Sequence, residues 1–132
     1  MNHANDIGQI QENLRAVSKQ VFSKQYRLEI AAVCSAQEPP TWSRRLATTL
    51  GIAENQVASE IGSFARLGAL QRFPAEHDRR KVYQVVPHPL WGFARELLED
   101  TIRATELARA EDSVARYWAA ILGEAAPWPV PG

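Results

Sequence analysis

Between Leu46 and Leu70 the residues follow a pattern that few folds accommodate. Leu46, Ala47 and Leu50 come first, then Gly51 and Ile52, then Val57, Ile61 and Phe64, then Gly68-Ala69-Leu70. Leu46 and Leu50 are one helical turn apart. Val57, Ile61 and Phe64 are spaced four and three. Each set therefore falls on one stripe of an α-helix. Gly51 stands just past the first stripe, where a left-handed residue ends a helix and redirects the chain. Ile52 plugs the corner. The spacing predicts a helix ending at Leu50, a sharp turn, and a second helix over 54–67: a helix-turn-helix.

The segments before this unit also read as helical. Residues 26–36 place Leu28, Ile30, Ala31, Val33 and Cys34 inward. Pro39-Pro40 forces extended backbone and ends that helix, and Thr41 offers a hydroxyl to cap the next one. Further upstream, Ile7, Ile10, Leu14, Val17 and Val21 are spaced three, four, three and four within an N-terminal helix over 7–24. So narrow a stripe suits pairing with another helix. It fits two situations, the chain's own core or a dimer interface. The interface is favoured, because the stripe precedes the domain proper.

After Gly68 the pattern changes. Ala69 to Phe73 and Val82 to Val86 read as two strands, and the polar stretch between them makes a hairpin whose tip carries His77, Asp78, Arg79, Arg80 and Lys81. Pro87-His88-Pro89 ends the second strand. Leu90, Phe93, Leu97 and Leu98 then form an apolar cluster, and Leu107, Ala110, Val114, Trp118 and Ile121 continue it at helical spacing. No Gly or Pro interrupts 93–122, which leaves one long helix or two helices with a bend near Thr105. A helix that long cannot bury its stripe against so small a domain, so residues 88–123 are expected to dimerise through Leu97, Leu107, Val114, Trp118 and Ile121. The tail, 124–132, is Pro-rich.

The 132 residues suit one domain over 1–132. Formal net charge is zero, but it is unevenly distributed. Residues 41–86 hold seven Arg/Lys and four Asp/Glu, a net of +3, whereas 87–132 hold four and seven, a net of −3. The positive charge gathers on the helix-turn-helix and the hairpin. The single cysteine, Cys34, excludes an internal disulfide and reads as a buried, inert thiol. The scattered His3, His77 and His88 suggest no metal site, and no cofactor is implied. No Gly-rich phosphate loop, Ser/His/Asp arrangement or carboxylate pair argues for an enzyme. With no signal-like segment and no long apolar run, a cytoplasmic protein off the membrane is expected.

On the helix over 54–67, the face opposite Val57, Ile61 and Phe64 carries Asn55, Ser59, Gly62, Ser63 and Arg66, with Gln56 on its flank. Such small polar side chains reach base edges and phosphates without bulk. Two acids, Glu54 and Glu60, oppose this reading. The Arg-rich hairpin tip suits phosphate or minor-groove contact. The sequence therefore implies binding of double-stranded DNA. A protein-interaction module without DNA binding is the alternative, favoured by those acids and by the zero net charge. Nothing in the chain points to an effector ligand.

Three segments resemble winged helix-turn-helix transcriptional regulators of the MarR and ArsR type. Arg27-Leu28-Glu29-Ile30-Ala31 looks like the opening of the first domain helix in ArsR-like proteins. Leu46-Ala47, Leu50-Gly51-Ile52, Val57, Ile61, Leu67 and Gly68-Ala69-Leu70 match the tri-helical pattern. Asp78-Arg79-Arg80 looks like the wing signature of MarR proteins. The resemblance covers about residues 25–100 and implies a mainly α fold with a small β-hairpin wing, spanning 25–87 and flanked by dimerisation helices. It further implies a homodimer that binds an operator, usually as a repressor. Carried over by position, Asn55, Gln56, Ser59 and Ser63 read bases, and Thr41 and Ser43 touch phosphate, with Arg44 and Arg45 beside them. Arg79 or Arg80 enters the minor groove, between His77 and Lys81. The Cys-x-Cys metal motif of ArsR sensors is absent.

Overall fold

The computed structural model describes residues 3–73, 81–105 and 110–123. In order along the chain these form α1 (His3–Phe22), α2 (Arg27–Ala36), α3 (Ser43–Leu50), α4 (Glu54–Arg66), β1 (Leu70–Arg72), β2 (Tyr83–Val85), α5 (Pro89–Thr105) and α6 (Ala110–Leu122).

Helices α2, α3 and α4 make a tri-helical unit around Leu28, Ile30, Val33, Leu46, Leu50, Val57, Ile61 and Phe64, all nearly inaccessible to solvent. Gly51 ends α3 at φ 68°, ψ 35°, the left-handed conformation its position in the sequence implied. Its amide and that of Ile52 both donate to the Ala47 carbonyl, at 2.9 and 3.2 Å, and Ile52 is buried at the corner. Gly68, at φ 82°, turns the chain from α4 into the wing.

The wing is an antiparallel pair with Leu70 opposite Val85, Gln71 opposite Gln84 and Arg72 opposite Tyr83. Further bonds, Phe73 N to Val82 O and Val86 N to Ala69 O, extend the pairing at both ends. The hairpin tip, 74–80, lies outside the described residues, and with it His77, Arg79 and Arg80.

Thr41 corrects the sequence reading. It neither caps α3, whose N-cap position is Trp42, nor faces solvent for a phosphate. Thr41 and Tyr83 exchange both backbone hydrogen bonds, each at 2.8 Å, so the segment before α3 is pinned to the outer edge of β2. The side chain is buried against the Cys34 thiol.

The C-terminal segment forms two described helices rather than one, and α6 folds back on α5. Trp118 Nε1 donates to Glu99 Oε2 at 3.0 Å, tying one to the other. Val114, Tyr117 and Trp118 are thereby buried within the chain. Folding back supplies the cover that a continuous helix would have lacked, so Val114 and Trp118 belong to the core rather than to a partner. The inward face of α5 is Trp91, Ala94, Leu98 and Ile102; Phe93 points outward. Trp91 packs edge-on against Phe64, with ring centroids 5.5 Å apart, and donates through Nε1 to the Val86 carbonyl at 2.8 Å. One side chain thus joins α5, α4 and the base of the wing.

The N-terminal stripe divides in the same way. Ile10 and Leu14 are fully enclosed by the chain itself and are core, not interface. Ile7 and Val17 are partly covered, and Val21 is half exposed. Leu97 and Ile121 are likewise only partly covered, and Leu107 lies outside the described residues.

Candidate nucleic-acid interface

Helix α4 presents the candidate reading face. Asn55, Gln56, Ser59 and Arg66 are exposed, and Ser63 is half-buried, while Val57, Ile61 and Phe64 point into the core. The helix starts at Ala53 without a side-chain cap. Ser63 Oγ donates back to the Ser59 carbonyl and accepts from Arg66 Nη2 at 3.1 Å. An Arg66–Ser63 bond of that kind lies at the surface and contributes little to stability. It sets the resting position of a guanidinium beside the face.

Glu60 no longer opposes a nucleic-acid reading. Its carboxylate is turned off the outward face, and its Oε2 accepts from Arg27 Nε on α2 at 2.6 Å. The pair is largely shielded from water, so each charge cancels the other where solvent screens least. Arg27 opens the motif at the start of α2, and in the structure it neutralises an acid on α4. No local pattern shows this, because the partners are 33 positions apart. Glu54 remains exposed in the first turn of α4, with Ser43 Oγ 3.5 Å from its Oε1.

At the start of α3, Arg44 is exposed, whereas Arg45 is engaged. Arg45 Nη1 donates to the carbonyls of Glu38 and Pro40 at 2.7 and 2.9 Å, and its guanidinium lies over the Trp42 ring, 5.4 Å from the centroid. Those bonds clamp the Pro39-Pro40 turn, so Arg45 is committed within the chain, while Arg44 stands exposed beside it. Lys81, exposed at the foot of the wing, lines a cleft of about 270 Å³ with Trp42, Ser43, Arg44 and Glu54. A second cleft of about 160 Å³ joins Lys81 and Ser43 to Ala58 and Gly62 on α4. A Cβ on Gly62 would meet only the flexible end of Arg66, at 3.4 Å, so the chain's own packing does not demand glycine there. The structure thus brings Ser43, Arg44 and Lys81 next to α4, and leaves Thr41 and Arg45 committed elsewhere.

Among the described residues, no group of three or more His, Cys, Asp or Glu side chains is placed to hold a metal ion. Cys34 is buried, and burial pushes its thiol up to about 12, so it is protonated and inert at neutral pH. Among the described residues, no helix is long and apolar enough to cross a membrane.

Neither protein-family models nor curated protein sequences match the chain. Among solved structures it is similar to a MarR family regulator from Neisseria meningitidis. The TM-score is 0.52 and the identity 17%, over 93% of this chain and 91% of the regulator. At that identity the likeness speaks for the fold. Six helices with a single antiparallel hairpin, among the described residues, give this chain a MarR-like winged-helix fold.

Proposed function

We propose that the protein is a dimeric transcriptional regulator that binds double-stranded DNA sequence-specifically, most simply as a repressor. The observation that carries this reading is the division of α4. Its apolar side is spent on the core, its polar side chains stand in solvent, and its buried acid is neutralised by Arg27. The MarR-like fold supports it, since in helix-turn-helix proteins the second helix enters the major groove with its N-terminal residues on the bases. Asn55 and Gln56 occupy that end and can each pair bidentately with adenine. Arg44 and Lys81, with Arg79 and Arg80 at the tip of the wing, supply the phosphate contacts.

Two protomers with three to four basic contacts each give about seven, so log affinity should fall against log salt with a slope of about −6. A flat salt dependence on duplex DNA would overturn the reading and favour a protein-interaction module. Selection of bound sites from random duplex would supply the operator. On that operator, Asn55→Ala and Gln56→Ala should lose about 1–3 kcal/mol each. Both variants should keep the parent's affinity for random DNA. Arg80→Ala should weaken both kinds of binding. Parent-like operator binding by both α4 variants would show that this helix does not read sequence.

The dimer proposed here uses the exposed side of α1 and α5. Val21 and Phe93 are each about half exposed, at 49% and 50%, and Phe22 meets Phe93 edge-on. Val17 and Leu97 line an open groove between the same helices. A contiguous apolar strip of this kind marks an association surface.

A further inference from the structure

The turn between α1 and α2 stands directly beside the N-terminal half of α4. A cleft of about 220 Å³ separates them, lined by Lys24, Gln25 and Tyr26 on one side and by Gln56, Ser59 and Glu60 on the other. The sequence pattern drew no attention to Lys24, because it falls between two helices and belongs to no stripe.

We infer that Lys24 is an additional phosphate-contacting residue, extending the DNA interface from α4 onto the α1–α2 turn. The inference rests on the DNA-binding reading of α4. Three observations carry it. First, the turn is held in place. Ser18, fully buried on α1, donates its hydroxyl to the Lys24 carbonyl at 2.5 Å and accepts from the Leu28 amide at 3.0 Å, so one side chain grips both ends of the turn. Ser23 redirects the chain in the left-handed region, at φ 60°, with its amide on the Lys19 carbonyl. A residue fixed in this way loses little further backbone freedom on binding.

Second, the Lys24 side chain is exposed, and no carboxylate pairs with it among the described residues. The one acid that lines the cleft, Glu60, is already bonded to Arg27. The ammonium is therefore available, and the adjacent acid is compensated. Third, the cleft places Lys24 alongside Gln56 and Ser59, two residues of the proposed reading face. A duplex whose base edges meet Gln56 must carry its sugar-phosphate backbone past the side of α4. A lysine suits such a phosphate as a point charge that needs no fixed geometry.

The test is the salt dependence of binding to a mixed-sequence duplex, measured for the parent, Lys24→Ala and Lys19→Ala. Lys19 is also exposed and on α1, but it does not line the cleft, so it controls for net charge. The clamp on the turn uses the Lys24 carbonyl, and its exposed side chain makes no ion pair among the described residues, so Lys24→Ala should melt as the parent does. Lys24→Ala is expected to flatten the salt slope by about one for each bound protomer, with Lys19→Ala unchanged. Equal slopes for parent and Lys24→Ala, with the parent binding normally, would overturn this inference alone. Equal flattening by both lysine variants would also overturn it, as an effect of net charge. A parent with no salt-dependent binding would overturn the DNA reading and this inference with it.

Discussion

Glu29 is wholly buried on α2, in a position where a carboxylate is costly unless it is paired. Arg15 Nε donates to its Oε1 at 2.7 Å, and Gln11 Nε2 to its Oε2 at 3.4 Å, both from α1. Arg15 also lies over the Tyr26 ring. The Tyr117 hydroxyl, buried on α6, has no hydrogen-bond partner among the described residues, and burial together with the Glu29 charge pushes it well up. Burial raises the Glu29 carboxyl above its ordinary value of 4.5, against the pull of Arg15 and Gln11. The folded protein thus holds that proton more tightly than the unfolded chain does. The stabilisation this gives is complete below 4.5 and is lost as pH rises through the folded value. Glu29→Gln removes the titration and keeps a hydrogen-bonding side chain. Melting temperatures of parent and variant, measured from acid to neutral pH, should therefore diverge in the variant's favour as pH rises above 4.5. A difference that stays constant over that range would show that the folded carboxyl titrates as it does in the unfolded chain.

At the scale of elements, the turn between α3 and α4 rests on one backbone conformation. Gly51 sits at φ 68°, and a Cβ added there would meet nothing within 4 Å. Replacement therefore tests conformation alone, without a steric clash. Gly51→Ala should cost about 1–2 kcal/mol. Gly51→Asn should cost less, because asparagine tolerates the left-handed region. Chemical denaturation of both variants checks the order. Equal losses would mean that the cost arises elsewhere than in φ. The helix-turn-helix itself was readable because its signals are local: a glycine at a helix end and apolar residues one turn apart. The start of β1 and the end of β2 were readable to within one residue for the same reason, from the turn residues Gly68 and Pro87 beside them. Thr41 was misread because hydroxyl residues before a helix commonly cap it, while here Tyr83, far along the chain, claims its backbone.

For the whole molecule, the decisive point is which apolar residues remain for a partner. Leu14 has no exposed surface, whereas Val21 and Phe93 are half exposed on the same side as the α1–α5 groove. Replacing Leu14 by Asp would bury an unpaired charge and should unfold the chain. The double change Val21→Asp and Phe93→Asp places charges only at the surface, so it should leave the fold intact and the protein monomeric. Sedimentation equilibrium at micromolar concentration, with far-ultraviolet circular dichroism as a check on folding, separates these outcomes. A well-folded double variant that still dimerises would remove the α1–α5 strip as the interface.

The sequence by itself determined what depends on near neighbours. Helical periodicity, the break at Pro39-Pro40, the left-handed Gly51 and the outward face of α4 each follow from residues within about two turns of one another. It could not decide between uses of an apolar stripe, because a stripe states only that something must cover it. Tertiary structure made that choice: α2 and α5 cover Ile10 and Leu14, and α6 folds back to bury Trp118 against α5. The pairing of Glu60 with Arg27, of Glu29 with Arg15, and of Thr41 with Tyr83 was settled in the same way. Each joins separate elements, so the desolvation and hydrogen bonding that fix those side chains arise only once the helices and the wing have packed.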